Sequence, residues 1–247
     1  MDKFWKYIIF AAAMVLSAIV ISAAFTQRYR INNGTITVTG LGETEFTSDL
    51  IVINGEIEVE NYDAAEAYRN LESDRQQVVA FLVEKGVKEE CISFNMPYTS
   101  ELTRSRYENG NYVGHEFAGY NMTQSYTIES TDVDITEAAA RELSSLIAQD
   151  VKIRVYNPQY YYSGLEDVKL NLLSAAAADA RERALKIAES SSAALGELKM
   201  SRAGVFQITA ATGDEEFSAG GSFNLSSREK KARVTVRSEY MIKRLNN

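Results

Sequence analysis

The chain has 247 residues, with 45% apolar, 24% charged and 10% aromatic side chains, 14 Gly and only 2 Pro; this excludes a disordered, fibrous or linker-type chain and allows one large domain or two small ones. A net charge of −8 repels phosphate backbones and argues against a nucleic-acid binder. One Cys and one His exclude an intrachain disulfide framework and any site that needs several His or Cys ligands.

Tyr7 to Phe25 is apolar apart from Ser17 and Ser22, with Lys3 and Lys6 before it and Trp5 and Tyr7 suited to an interface. As a helix it would span roughly 28 Å, close to the hydrocarbon thickness of a bilayer. Residues 1–26 therefore read as a signal anchor or a signal peptide, with membrane contact through residues 4–25. The run is longer than a usual signal core and Arg28 and Arg30 follow it, which favours an uncleaved anchor; Ser22-Ala23-Ala24 suits a signal peptidase and keeps cleavage open. Either way, an acidic body beyond about residue 30 is expected outside the cytoplasm, anchored in the cytoplasmic membrane or released to the periplasm. Cys91 reads as a buried apolar filler.

Strand signals follow. Thr35-Ile36-Thr37-Val38-Thr39 alternates and ends at Gly40-Leu41-Gly42, which reads as a turn. Residues 51–60 place Ile51, Ile53, Ile57 and Val59 on one face and Glu56, Glu58 and Glu60 on a wet one. A helix opens at Asp63-x-x-Glu66, in the pattern of a capping box, and runs to about Lys85 with Gly86 as terminator. Ile92 to Tyr98 alternates with Pro97 at an edge, and Tyr120 to Ile128 forms a fourth strand. Between them Arg104 to Phe117 reads as a loop with Asn109-Gly110 as a hairpin turn.

Asp134-x-x-Glu137 repeats the capping device for a helix to about Gln149, and Val151 to Val155 is a fifth strand. A long helix is expected from Leu165 to Leu195, its core stripe reading Leu165, Val168, Leu172, Ala176, Ala180, Ala184, Ile187 and Ser191. Val205 to Thr209 is a weaker strand, and Lys231 to Tyr240 alternates strongly. The Glu face of 51–60 and the Lys/Arg face of 231–241 suggest that these two strands pair.

The order of elements predicts an α+β fold of two sheet-and-helix units with mixed or antiparallel sheets, preceded by the N-terminal helix. The first unit is placed at 34–114, completed by a final strand at 229–243; the second at 115–210; and 211–228 is a flexible loop rich in Gly, Ser and acids.

No catalytic, cofactor-binding or metal-ligating residue stands out. His115 lacks a neighbouring Ser or Asp pattern for a triad, and Gly40-Leu41-Gly42 fails the dinucleotide fingerprint. Asp214-Glu215-Glu216 lacks the spacing of a calcium loop, and Asn121-x-Thr123 and Asn224-x-Ser226 match only a short sequon. The anomaly is Tyr156, Tyr160, Tyr161 and Tyr162 around Asn157-Pro158, either an interaction surface or, the favoured reading, rings that cap the edge of the core.

Ile36-Thr-Val-Thr-Gly-Leu-Gly followed by a long strand and helix, the Ala-rich helix Ala175 to Gly196 and the terminal alternating strand together resemble the SIMPL-domain family over about residues 34–244. Where family members often carry Pro-Asp after the first Gly turn, this chain has Ser48-Asp49. The resemblance implies a two-part α+β fold, ring- or channel-like oligomers in the cell envelope, a link to oxidative-stress tolerance, and no catalytic residues to carry over. The expectation is a non-enzymatic envelope protein that forms a homo-oligomer and needs no cofactor. A binding module for a small molecule or protein, or a carboxylate-based hydrolase, are the alternatives.

Overall fold

The computed structural model describes residue 5 and residues 12–23, 34–212 and 218–244. Only part of the apolar run Tyr7–Phe25 falls among these. Residues 12–23 form α1, exposed along its whole length; 7–11 and 24–25 lie outside the described residues. No helix among the described residues is long and apolar enough to cross a membrane. Among the described residues the fold is α+β, with mixed and antiparallel sheets and four α-helices.

The chain divides into two compact units: Met1–Glu43 with Leu170–Val205 and Val234–Asn247, and Thr44–Lys169 with Phe206–Arg233. The expected division at 114/115 falls inside a single strand, Asn111–Ser130, so both sides of it belong to the larger unit.

After α1 comes β1 (Thr35–Thr47), which leads into β2 (Leu50–Asn61). In the larger unit β2 is followed by α2 (Ala64–Glu84), β3 (Ile92–Phe94), β4 (Tyr98–Glu108), β5 (Asn111–Ser130), α3 (Val133–Leu143), β6 (Ile153–Val155) and β7 (Gln159–Tyr161). β2 pairs antiparallel with β5 from Ile51↔Ser130 to Asn61↔Tyr120, and its other edge takes β6 and then β7. The alternation of β2 turns Ile51, Ile53, Ile57 and Val59 into a core shared with Leu71, Val78 and Leu82 of α2, and with Leu143 and Leu146. Tyr126 lies opposite Gly55, its hydroxyl donating to the Arg154 carbonyl at 3.1 Å; a Cβ on Gly55 would sit 2.2 Å from that hydroxyl oxygen.

Asp63 caps α2 as its sequence predicts, accepting from the amides of Ala65 and Glu66. The reciprocal half of the box is not made, since the Asp63 amide donates to Asn61 Oδ1 at 3.0 Å and Glu66 pairs with Arg69; the second box does not form at all. The cap of α3 is Asp132, whose side chain makes no cap bond, while Asp134 pairs with Arg228 instead. The α-helix also stops at Leu143 and tightens into a 3-10 segment, Ser144–Gln149. The glutamate face of β2 meets cations in and just before β6 rather than the C-terminal strand: Lys152 lies 3.2 Å from Glu60, and Arg154 3.9 and 3.5 Å from Glu56 and Glu58.

The remaining elements are α4 (Leu165–Ser190), β8 (Ala193–Ala203), β9 (Gln207–Ala210), β10 (Ser222–Phe223) and β11 (Glu229–Arg244). In the larger unit Lys230–Arg233 pair with β9, and β9 pairs in parallel with β10. Residues 218–228, expected as a flexible loop, thus contain a strand. They are also held by buried Lys230, which donates to the carbonyls of Asn224 (2.7 Å) and Ser227 (2.5 Å), and by Gln207, which donates to that of Ser218 (2.7 Å). Residues 213–217 of that loop lie outside the described residues.

In the smaller unit β11 pairs with β1 and, antiparallel, with β8. Leu172, Ala176, Ala180, Ala184 and Ala188 form the buried stripe of α4, which ends five residues before the expected Leu195; Ile187 and Ser191 are exposed. Ser192, at φ 54, reverses the chain into β8. Gly40 and Gly42 do not turn the chain. They lie within β1, where a Cβ would meet the helix backbone, 2.1 Å from the Ala176 oxygen at Gly40 and 2.3 Å from the Leu172 oxygen at Gly42. The Leu41 amide between them donates to Asp179 Oδ2 at 2.8 Å.

Candidate functional site

The four tyrosines singled out by sequence do not share one surface. Tyr160 sits in β7 opposite Ile51 and is 6% exposed, a member of the larger unit's core. Burial, followed by the nearby Glu137 carboxylate, holds its phenol above the usual range. Tyr161 is half-buried and donates to Gln159 at 3.0 Å. Tyr162 is half-buried against the ring of Phe46, 4.8 Å between centroids. Tyr156 alone is exposed, and its hydroxyl bonds to Glu56, the main cause of its raised pKa.

The accessible aromatic surface lies elsewhere in the larger unit, on the hairpin of β4 and β5. Eleven residues of strand reach roughly 37 Å at 3.4 Å each, and Tyr98–Glu108 pairs along its whole length with the first part of β5. Asn109 (φ 50) and Gly110 (φ 82) make the turn, both in the left-handed region that a two-residue hairpin turn requires. Register shifts after Leu102 and Arg106 bend and twist the ribbon. None of residues 98–119 enters the core, and β4 is exposed almost throughout.

On this arm Tyr107 stacks edge-on with Tyr112 (5.8 Å), and Tyr112 with His115 (5.6 Å). Nearer its base Phe117 meets Tyr62 and Tyr120, each at 5.2 Å. Tyr98, Tyr107, Tyr112, Val113 and Phe117 are all exposed. Arg104 faces Glu116 at 3.4 Å, and Arg106 pairs with Glu108. The sequence marked the turn but read 104–117 as a loop. With both faces wet, the strands lose the apolar alternation that identifies a half-buried strand.

The remaining candidates are committed to local structure. Cys91 is half-buried against the core rather than fully buried. Asn121 donates to Glu58 at 2.9 Å, and Asn224 accepts from the Ser227 amide at 2.8 Å. Asp49 binds the Ser163 amide at 2.8 Å and its hydroxyl. Among the described residues no group of three His, Cys, Asp or Glu side chains is placed to hold a metal ion. Asp214, Glu215 and Glu216 lie outside the described residues.

Residues 36–240 match the profile of the SIMPL domain, described as a "Protein of unknown function (DUF541)". No curated protein matches the chain. Among solved structures, the de novo designed protein Foldit4 is similar at 13% identity, over 43% of this chain and 93% of that one, with a TM-score of 0.21.

Proposed function

The chain belongs to the SIMPL-domain family, and from that membership and the β4–β5 arm we propose a non-enzymatic protein of the cell envelope, held at the cytoplasmic membrane by its N-terminal segment, that assembles with copies of itself through the arm. The observation that carries this reading is the exposure of Tyr98, Tyr107, Tyr112, Val113 and Phe117 on a ribbon that contributes nothing to the core. A two-stranded ribbon has little stability of its own, and its open edges accept further strands. Aromatic side chains supply contact area at interfaces. Arg104 and Arg106 beside Glu101, Glu108 and Glu116 give the arm both signs of charge, so one copy can complement another.

The membrane part of the reading is supported by α1, where Met14, Val15, Leu16, Ile19, Val20 and Ile21 are all exposed around the helix. The test is the solution mass of the full chain in detergent, by light scattering after size exclusion. The expected result is a discrete oligomer that falls to monomer when Tyr107, Tyr112 and Phe117 are replaced by Ser. A monomeric wild type refutes self-assembly, and an oligomer untouched by the triple substitution refutes the role of the arm.

A further inference from the structure

A second surface, in the smaller unit, carries a charge pattern that its own fold leaves unbalanced. Arg202 of β8 and Arg237 of β11 are direct cross-strand partners, so both project from one face of the sheet. It is the outer face. Val236, Ser238 and Tyr240, which alternate with Arg237 along β11, are buried, while both arginines are exposed. Like charges directly opposite each other are unfavourable. In a chain with 34 acids and 26 basic residues, neither guanidinium makes an ion pair among the described residues.

The two arginines line a hollow of about 230 Å³, completed by Thr37 of β1, Met200 of β8 and Glu239 of β11. Glu239 does not cancel them. Its carboxylate is engaged by Lys199 at 3.0 Å and by the Thr35 hydroxyl, and these, with Arg237 nearby, hold it below the usual glutamate range. Arg202, Arg237 and Lys199 against Glu239 leave two positive charges around the hollow. A phosphate group carries about −1.5 to −2 at neutral pH and presents several acceptor oxygens. Guanidinium forks match such oxyanions in geometry.

We propose that this hollow binds a phosphate-type dianion, gripped by the guanidiniums of Arg202 and Arg237, with the Thr37 hydroxyl as a further donor and Met200 as an apolar wall. The ligand relieves the repulsion between the paired arginines, which is why the sheet tolerates them. The site is separate from the aromatic arm and does not depend on self-assembly.

Calorimetric titration of the full chain in detergent with inorganic phosphate, at fixed ionic strength against chloride, tests the assignment. One saturable site per chain is expected, weakened at least tenfold by Arg202→Gln or Arg237→Gln and lost in the double variant. Arg69→Gln, at an exposed position of α2 in the larger unit, leaves it unchanged. Without phosphate the double variant melts no lower than wild type, because the substitutions remove a repulsion; with phosphate only the wild type gains stability. Wild-type affinity also rises between about pH 5 and 8, as the ligand acquires its second charge. A parallel titration with glycerol phosphate separates a site for free phosphate from one for a phosphomonoester. No saturable binding of either probe, binding that survives the double substitution, or binding of succinate in place of both would each overturn the proposal.

Discussion

Replacing Gly40 by Ala puts the reading of the Gly40-Leu41-Gly42 stretch to a direct test. The new Cβ would lie 2.1 Å from the Ala176 oxygen, 2.4 Å from the Ala180 nitrogen and 2.9 Å from the Ala180 Cα. All three are helix backbone, so no side chain can swing away, and β1 and α4 must separate by about an ångström or more to restore contact distances. Overpacking of this kind costs about 1–3 kcal/mol and sometimes more. Separation also exposes the Ala176 and Ala180 contacts that close the unit. Against this, Gly→Ala restricts the unfolded chain and returns about 0.4–1 kcal/mol. The net loss is about 2 kcal/mol, or roughly 4–8 °C in Tm for a chain of this size. Urea or thermal unfolding followed by circular dichroism measures it. Gly220→Ala is the control, because its Cβ would meet only Ser218 Oγ at 3.9 Å and Gly220 has no positive φ. A Gly40→Ala protein as stable as the Gly220→Ala protein would refute close packing of strand on helix.

Two further predictions concern buried and bridging groups. Tyr126→Phe should cost about 1 kcal/mol at neutral pH by leaving the Arg154 carbonyl without its donor. Burial, with a smaller contribution from Tyr156, raises the Tyr126 phenol, so its unfolded form ionises first. The wild type therefore loses stability as pH climbs past the ordinary tyrosine value of 10.0, and the Phe variant shows a shallower alkaline decline in urea midpoint. An identical decline would remove Tyr126 from the account. The hydrogen bond from Arg183, then the Leu41 amide, holds Asp179 below its ordinary 3.8. Its contribution is present above that value and is lost as pH falls through the lowered one. Asp179→Asn should thus be less stable than wild type near neutrality, with the gap closing below pH 3.8; a gap independent of pH would contradict the assignment.

The elements that could be read from sequence were those governed by local rules. Asp63 caps α2 through amides two and three residues away, and the Ile face of β2 is set by its own period. Partners fixed by topology were not legible. The Glu56, Glu58 and Glu60 face was correctly wet, but charge complementarity fits Lys152 and Arg154 as well as Lys231 and Arg233, and only the fold chooses. Gly40 and Gly42 carry the same letters as a turn, although the continuing strand to Thr47 shows their purpose is proximity to α4. Tyr160 was grouped with its sequence neighbours, whereas strand alternation buries it between exposed or half-buried ones. The arm shows its Asn109-Gly110 turn in the sequence but not its strands, because aromatic rings on a ribbon wet on both faces leave no periodic signal.

The pairing of β1 with β11 also dictates an order of events in the life of the chain. The Ile242 amide donates to the Gly34 carbonyl at 3.0 Å, joining positions roughly two hundred residues apart. During synthesis or export, β1 must wait with its edge unsatisfied until β11 has emerged, whereas β2 finds β5 far sooner. A ribosome stalled or a chain clipped before β11 would present a strand with no native partner, the kind of edge that quality-control chaperones and proteases recognise. Completion of the smaller unit is thus a built-in report that the chain has been delivered through β11.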